Sequence, residues 1–137
     1  MNLRHLLLLM LFCVTACATR IPAPAPAPSP EAATFTETGV ASWYGADHQG
    51  LLTASGERFD MHAMTAAHRE LPFRTIVRVT SMRTGKLVKV RINDRGPVNK
   101  ERIIDLSSAA GSALGVSDKG LIAVRLEVYA SDQPAGK

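Results

Sequence analysis

Residues 87–93 alternate apolar and polar side chains without a break: Val88, Val90 and Ile92 fall on one face, Lys89, Arg91 and Asn93 on the other. A period of two is the mark of a strand with one buried face. Residues 75–80 alternate in the same way, and Arg83-Thr84-Gly85-Lys86 lies between the two runs. Two alternating runs around a glycine-containing turn predict a hairpin. A lone hairpin is marginal in water, so other strands must cover its apolar face. Residues 39–44 and 121–129 supply two more β-prone runs. Residues 107–114 predict one short helix, with Ser107 as its N-cap and Gly115 at its C-terminal end. Short strands and one helix in a domain of about 95 residues predict a small closed barrel, because closure removes exposed strand edges.

The domain is preceded by segments of different character. Arg4 and His5 come before an unbroken apolar run over residues 6–14, which ends in Val14-Thr15-Ala16-Cys17. A transmembrane helix needs about 20 apolar residues, so this run fits the core of a secretory signal instead. Small residues directly before a cysteine resemble the bacterial lipoprotein processing box, with Val14 in place of the usual leucine. On that reading residues 1–16 are removed and Cys17 becomes the lipidated first residue. Ala18 after it favours the outer membrane in a cell that has one, with the protein facing the periplasm. Residues 21–30 alternate proline with small residues, which predicts an extended polyproline II tether. The expected organisation is therefore a leader over 1–16, a lipidated cysteine and tether over 17–37, one domain over 38–131, and a disordered tail over 132–137.

Composition narrows the function classes. The chain has two cysteines, Cys13 and Cys17, so the mature domain is expected to hold neither a disulfide nor a cysteine-based zinc site. His48, His62 and His68 lack tight ligand spacing, and no metal or other cofactor is expected. Sixteen basic against 12 acidic residues give a net charge of +4 without any basic block, which argues against nucleic acid. A mild positive charge suits an anionic wall polymer or an ordinary solvated surface equally.

The candidate chemistry lies at strand ends and loops. Asp94 ends the second hairpin strand, and Gly96-Pro97 turns the chain just after it. An aspartate there either accepts backbone hydrogen bonds in the turn or presents a carboxyl group at the barrel mouth. Arg95 is its neighbour in sequence, but adjacent strand residues point oppositely. Glu57 closes a loop of small residues that includes Thr53 and Ser55. His68 follows two alanines. Trp43 and Tyr44 fit either a sugar-stacking platform or the core, with Trp43 favouring the core by alternation.

Taken in order, GVASWYG (39–45), TASGE (53–57), MTAAHRELPF (64–73), VRVTSMRTGKLVKVRINDRGP (77–97) and RIIDLSSAAGSALG (102–115) resemble the RlpA family, rare lipoprotein A. The resemblance spans nearly the whole domain. It implies a mainly β fold: a six-stranded double-psi β-barrel with one or two short helices, similar to expansin and barwin domains. It implies lytic transglycosylase activity on peptidoglycan glycan strands, with a preference for strands stripped of stem peptides. The family's functional Glu, His and Asp match Glu57, His68 and Asp94. Tyr44, Trp43, Thr53, Ser55, Asn93 and Arg95 are the residues expected to contact the glycan. Where many relatives carry an aromatic-His-Gly sequence, this chain has His48-Gln49-Gly50. It lacks the C-terminal sporulation-related repeat of many members, so septal targeting through such a repeat is not implied.

A glycosidic bond breaks when an acid protonates the leaving oxygen and positive charge develops on the sugar carbon. In lytic cleavage a hydroxyl of the same sugar attacks that carbon, and one carboxyl group suffices as acid and then base. Asp94 is expected in that role, Glu57 as a positioning or charge-stabilising group, and His68 as an orienting or sugar-binding group; the roles of Asp94 and Glu57 are interchangeable at this level. Two other classes fit the same sequence. One is a non-catalytic, expansin-like wall-binding lipoprotein. The other is a structural lipoprotein that recruits cell-division proteins. A monomer attached to the membrane through its lipid is expected in each case.

Overall fold

The computed structural model describes residues 31–115 and 120–134. The leader, Cys17 and most of the tether lie outside the described residues. Six strands make up the fold: β1 Phe35–Tyr44, β2 Thr65–Ala67, β3 Ile76–Ser81, β4 Leu87–Asp94, β5 Arg102–Ser107 and β6 Ile122–Val128. They close into a barrel in the order β1-β5-β2-β4-β3-β6. The β1–β5 and β2–β4 pairings are parallel. The other four are antiparallel.

The predicted hairpin forms, with Val77 opposite Val90 and Val79 opposite Val88. Gly85 turns it in the left-handed region at φ 72°, where glycine pays no Cβ penalty. The inward faces of the barrel meet in one core, in which Val77, Val79, Ile92, Ile104, Val124 and Leu126 are fully buried. Helix α1, Ser108–Ala113, follows β5 directly, and the Ser107 side chain accepts a hydrogen bond from Ala110 N as its N-cap. Gly115 follows the C-terminal turn at φ 83°.

The domain is wider than residues 38–131. β1 begins at Phe35, and its first half pairs with β6 from Phe35 opposite Val128 onward. Thr34 adds a backbone bond to Val128 O at 2.8 Å. At the other end Asp132 is buried and accepts hydrogen bonds from Arg78 Nε at 2.9 Å and Lys89 Nζ at 3.3 Å. The segment expected to fray from residue 132 is therefore docked at its first residue.

Candidate active site

Two aspartates meet at one end of the barrel. Ala67, the last residue of β2, pairs with Asp94 of β4 on one side and with Asp105 of β5 on the other. Strands lie about 4.8 Å apart, so the two aspartate Cα atoms are separated by about 10 Å across a small side chain. The β2–β4 register shifts here: Ala66 faces Ile92 and Ala67 faces Asp94, leaving Asn93 as the extra residue. Bulges of this kind re-aim side chains near functional sites.

Asp94 and Asp105 line an open cleft of about 220 Å³ together with Tyr44, His48, Thr53, Phe59, Ala67 and Arg95. Leu51, Leu52, Gly96 and Val98 complete its walls. Asp94 Oδ1 accepts from Ala54 N and Arg95 N, each at 2.8 Å. Among the described residues nothing donates to Oδ2. Both sequence expectations for this residue thus meet in one carboxyl group, since one oxygen is held by backbone amides and the group still faces the cleft. Asp105 Oδ1 accepts a hydrogen bond from Ser42 Oγ. Arg102 Nε lies 3.1 Å from the same oxygen without hydrogen-bond alignment, and Nη2 donates to Oδ2 at 3.5 Å.

Tyr44 stands between these carboxylates and the aromatic wall. Its ring packs on Phe59 at 4.7 Å and on His48 at 5.1 Å. Its hydroxyl is buried and has no hydrogen-bond partner among the described residues. Burial, and then the charges of Asp94 and Asp105, push the phenol well above its usual range, so it stays protonated. Trp43 points elsewhere: it packs against the core and against α1, where a Cβ on Gly111 would come within 3.0 Å of the indole. It also lines two other grooves, of which one shares Tyr44 and His48 with the cleft.

The other expected site residues divide. Thr53 lines the cleft, and its hydroxyl and amide both bond to Glu57 O. Ser55 sits beneath it, with its amide on Asn93 O at 3.1 Å and its hydroxyl 3.0 Å from that of Thr53. These bonds fix the 53–57 loop against the end of β4. Glu57 itself turns to the flank. Arg91 grips both of its carboxylate oxygens, Nη2 at 3.0 Å, and Asn93 Nδ2 lies 3.5 Å from Oε2. The Arg91 guanidinium holds the Glu57 carboxyl below the usual carboxylate range. Arg95 contributes to the cleft wall, but its guanidinium is tied to Leu71 O at 2.9 Å and His68 O at 3.2 Å and stacks 3.9 Å over Phe73.

His68 departs furthest from expectation. It is buried, and Nδ1 accepts from Leu71 N at 3.1 Å and Glu70 N at 3.2 Å. With Nδ1 an acceptor, Nε2 carries the proton and donates to Glu37 Oε2 at 3.1 Å. Phe35 packs edge-on against the ring. His68 reaches Asp94 through the backbone alone, its amide donating to Asp94 O at 3.3 Å. The structure therefore does not bring Glu57, His68 and Asp94 side chains onto one wall. It brings Asp94 together with Asp105, Tyr44 and Thr53. Asp105 was missed because its one carboxylate sits in an apolar run, Ile103-Ile104-Asp105-Leu106, which reads as core.

The lytic transglycolase family profile matches residues 36–126, which is the whole barrel apart from Phe35 at its start and Glu127 and Val128 at its end. The chain belongs to the lytic transglycolase family. The resemblance to RlpA proteins is borne out as well. The chain is 50% identical over 105 residues to the endolytic peptidoglycan transglycosylase RlpA of Neisseria meningitidis serogroup A, covering 77% of this chain and 44% of that protein. It is 52% identical over 100 residues to the RlpA of Vibrio cholerae, covering 73% of this chain and 38% of that one. The chain thus spans less than half the length of these curated relatives. Among solved structures, a Streptomyces papain inhibitor superposes with a TM-score of 0.56 at 22% identity, over 69% of this chain and 94% of the inhibitor. An expansin of Clavibacter michiganensis superposes with a TM-score of 0.56 at 26% identity, over 74% of this chain and 53% of the expansin. These likenesses bear out the double-psi β-barrel.

Proposed function

We propose that this chain is an endolytic lytic transglycosylase that cuts peptidoglycan glycan strands between N-acetylmuramic acid and N-acetylglucosamine. The observation that carries this reading is the pair of aspartates flanking Ala67 in an open cleft. The names of the RlpA relatives support the substrate class.

The roles follow from how each carboxyl group is held. Asp94 Oδ2 has no donor among the described residues, and Asp94 acts as the acid: its proton goes to the bridging oxygen as the C1–O bond breaks. The 6-hydroxyl of the muramic acid residue then attacks C1 and closes a 1,6-anhydro ring. Its proton passes to the Asp94 carboxylate, which is restored to its starting form, and no water is consumed. The internal nucleophile has a high effective concentration, which is why a second activating base is unnecessary. Asp105, tied by Ser42 and Arg102, supplies a fixed negative charge across from Asp94 for the oxocarbenium-like carbon. Glu57, clamped by Arg91, serves as a positioning residue that fixes the 53–57 loop, and with it the Ala54 amide that holds Asp94. His68 braces the same strand end from behind. The lipid on Cys17, an outer-membrane location, monomeric state and contact with division proteins belong to this proposal on sequence grounds.

The test is incubation of the chain with peptide-free glycan strands and mass spectrometry of the products. Anhydro-muramic ends are expected, and Asp94→Asn is expected to lower their rate at least 100-fold while keeping the fold, since loss of an acid/base group costs on the order of 10²–10⁴. Reducing ends would indicate hydrolysis instead. Tight strand binding with no cleavage by the unmodified chain would favour an expansin-like binding protein.

A further inference from the structure

The cleft has a rim as well as a floor. Val98 is 96% exposed, Leu52 68% and Leu51 56%. Single exposed apolar residues are ordinary. These three come from two segments far apart in sequence and converge on the cleft that holds Asp94 and Asp105. The lip on the Leu51–Leu52 side is rigid. Gly50 N bonds to Phe59 O at 2.9 Å, Phe59 N to Leu51 O at 2.7 Å, and Leu52 forms a β-bridge with Arg58. Arg58 Nη1 ties back to Gly50 O at 2.8 Å. Val98, from the segment after Gly96-Pro97, lines the same cleft as Leu51, Leu52 and Asp94.

We propose that this apolar lip is a specificity element that reads the acetamido methyl groups of N-acetylated amino sugars. A polar floor of carboxylates under an apolar rim matches a sugar that carries hydroxyls on its ring and methyls on its substituents. A glucan without acetamido groups offers the rim no methyl to bury. The inference rests on the reading of the cleft as a glycan site and adds which chemical feature of the glycan selects it. Each methyl group removed from water is worth about 0.8 kcal/mol, or about fourfold in affinity.

The experiment uses the full chain in detergent, with Asp94→Asn to prevent turnover, and peptide-free strands immobilised in two forms. One form is natively N-acetylated. The other is de-N-acetylated and then N-formylated, which keeps each amide neutral and removes only the methyl, so that no free amine is left to pair with Asp105. Acetylated strands are expected to bind at least fourfold tighter. Adding Leu52→Ser and Val98→Ser is expected to bring that ratio to about one, mainly by weakening binding to the acetylated form; both side chains are exposed, and an unchanged melting temperature checks the fold. Equal binding of the two forms overturns the lip and leaves the glycan reading standing, as does a ratio that survives both substitutions. Binding of neither form overturns the glycan reading and the lip with it.

Discussion

The cleft around Asp94 and the flank around Glu57 are built from the same strand and the same loop, yet they treat a carboxylate in opposite ways. On the flank, Glu57 is gripped at both oxygens by Arg91 and its charge is neutralised on the spot. In the cleft, Asp94 is held by two backbone amides through one oxygen, and the nearest arginine in sequence spends its guanidinium on carbonyl groups and on Phe73. The flank makes a brace and the cleft leaves a proton site. A charged side chain beside a candidate acid is therefore informative only once its partners are known. Arg95 and Arg91 both lie within a few residues of Asp94, and neither is aimed at its carboxylate.

The sharpest way to break this comparison is to neutralise a carboxylate on each side. Asp105→Asn removes the fixed charge across from Asp94 and is expected to cut kcat on peptide-free strands about 100-fold, the scale of losing one preorganised electrostatic contact in a site. Its cost in KM should be small, because the charge matters most when the sugar carbon becomes cationic. Glu57→Gln, by contrast, keeps the loop bonds through the Glu57 carbonyl and is expected to lower kcat less than tenfold. Equal losses from the two variants would dissolve the distinction between cleft and flank.

A second comparison sets His68 against Asp105. Both are buried or nearly so, but the histidine faces Glu37 and two backbone amides rather than the cleft. His68→Ala leaves two amides and a carboxylate without their partner. It is expected to cost about 2–3 kcal/mol of stability in chemical denaturation, the range for breaking a buried hydrogen-bond network. The folded fraction, measured in the cold, should keep activity within a few-fold. A large loss of kcat in fully folded His68→Ala would place the histidine in the chemistry after all.

Alternation made the β3–β4 hairpin and β6 legible, because each buries one face and exposes the other. It failed for β5, whose buried residues run in pairs, and for β2, which is three residues long with every residue buried. Strands covered on both faces lose the period that betrays them. The site followed the same division. Asp94 was legible as a polar residue at the end of an alternating strand. Asp105 was hidden in an apolar run of β5, and its approach to Asp94 depends on Ala67 lying between two strands that no sequence pattern reveals. The direction of the His68 side chain has a related cause. It follows Ala67 directly, so the motif is adjacent to the cleft, but one step along a strand end reverses the direction of the side chain.

The smallest expected effect tests whether the Glu57 clamp is electrostatic. Arg91 lowers the carboxyl of Glu57 below its ordinary value near 4.5. A carboxyl whose folded value is depressed contributes stability above its unfolded value and loses that contribution as the pH falls through the folded one. The pair is well exposed, with side chains 36% and 43% accessible for Arg91 and Glu57, and exposed pairs contribute about 0–1 kcal/mol after solvent screening. Glu57→Gln is therefore expected to destabilise the chain by less than about 1 kcal/mol at neutral pH. The gap between variant and parent should close as the pH drops below the ordinary carboxyl range, where the parent glutamate is protonated too. It should also shrink at about 1 M salt, which shortens the screening length to about 3 Å. Urea denaturation of both proteins across that pH range reads the difference directly. A gap that persists unchanged in acid and in high salt would mean that Glu57 braces the loop through shape and hydrogen bonds that a glutamine does not reproduce, and the flank would then differ from the cleft in geometry rather than in charge.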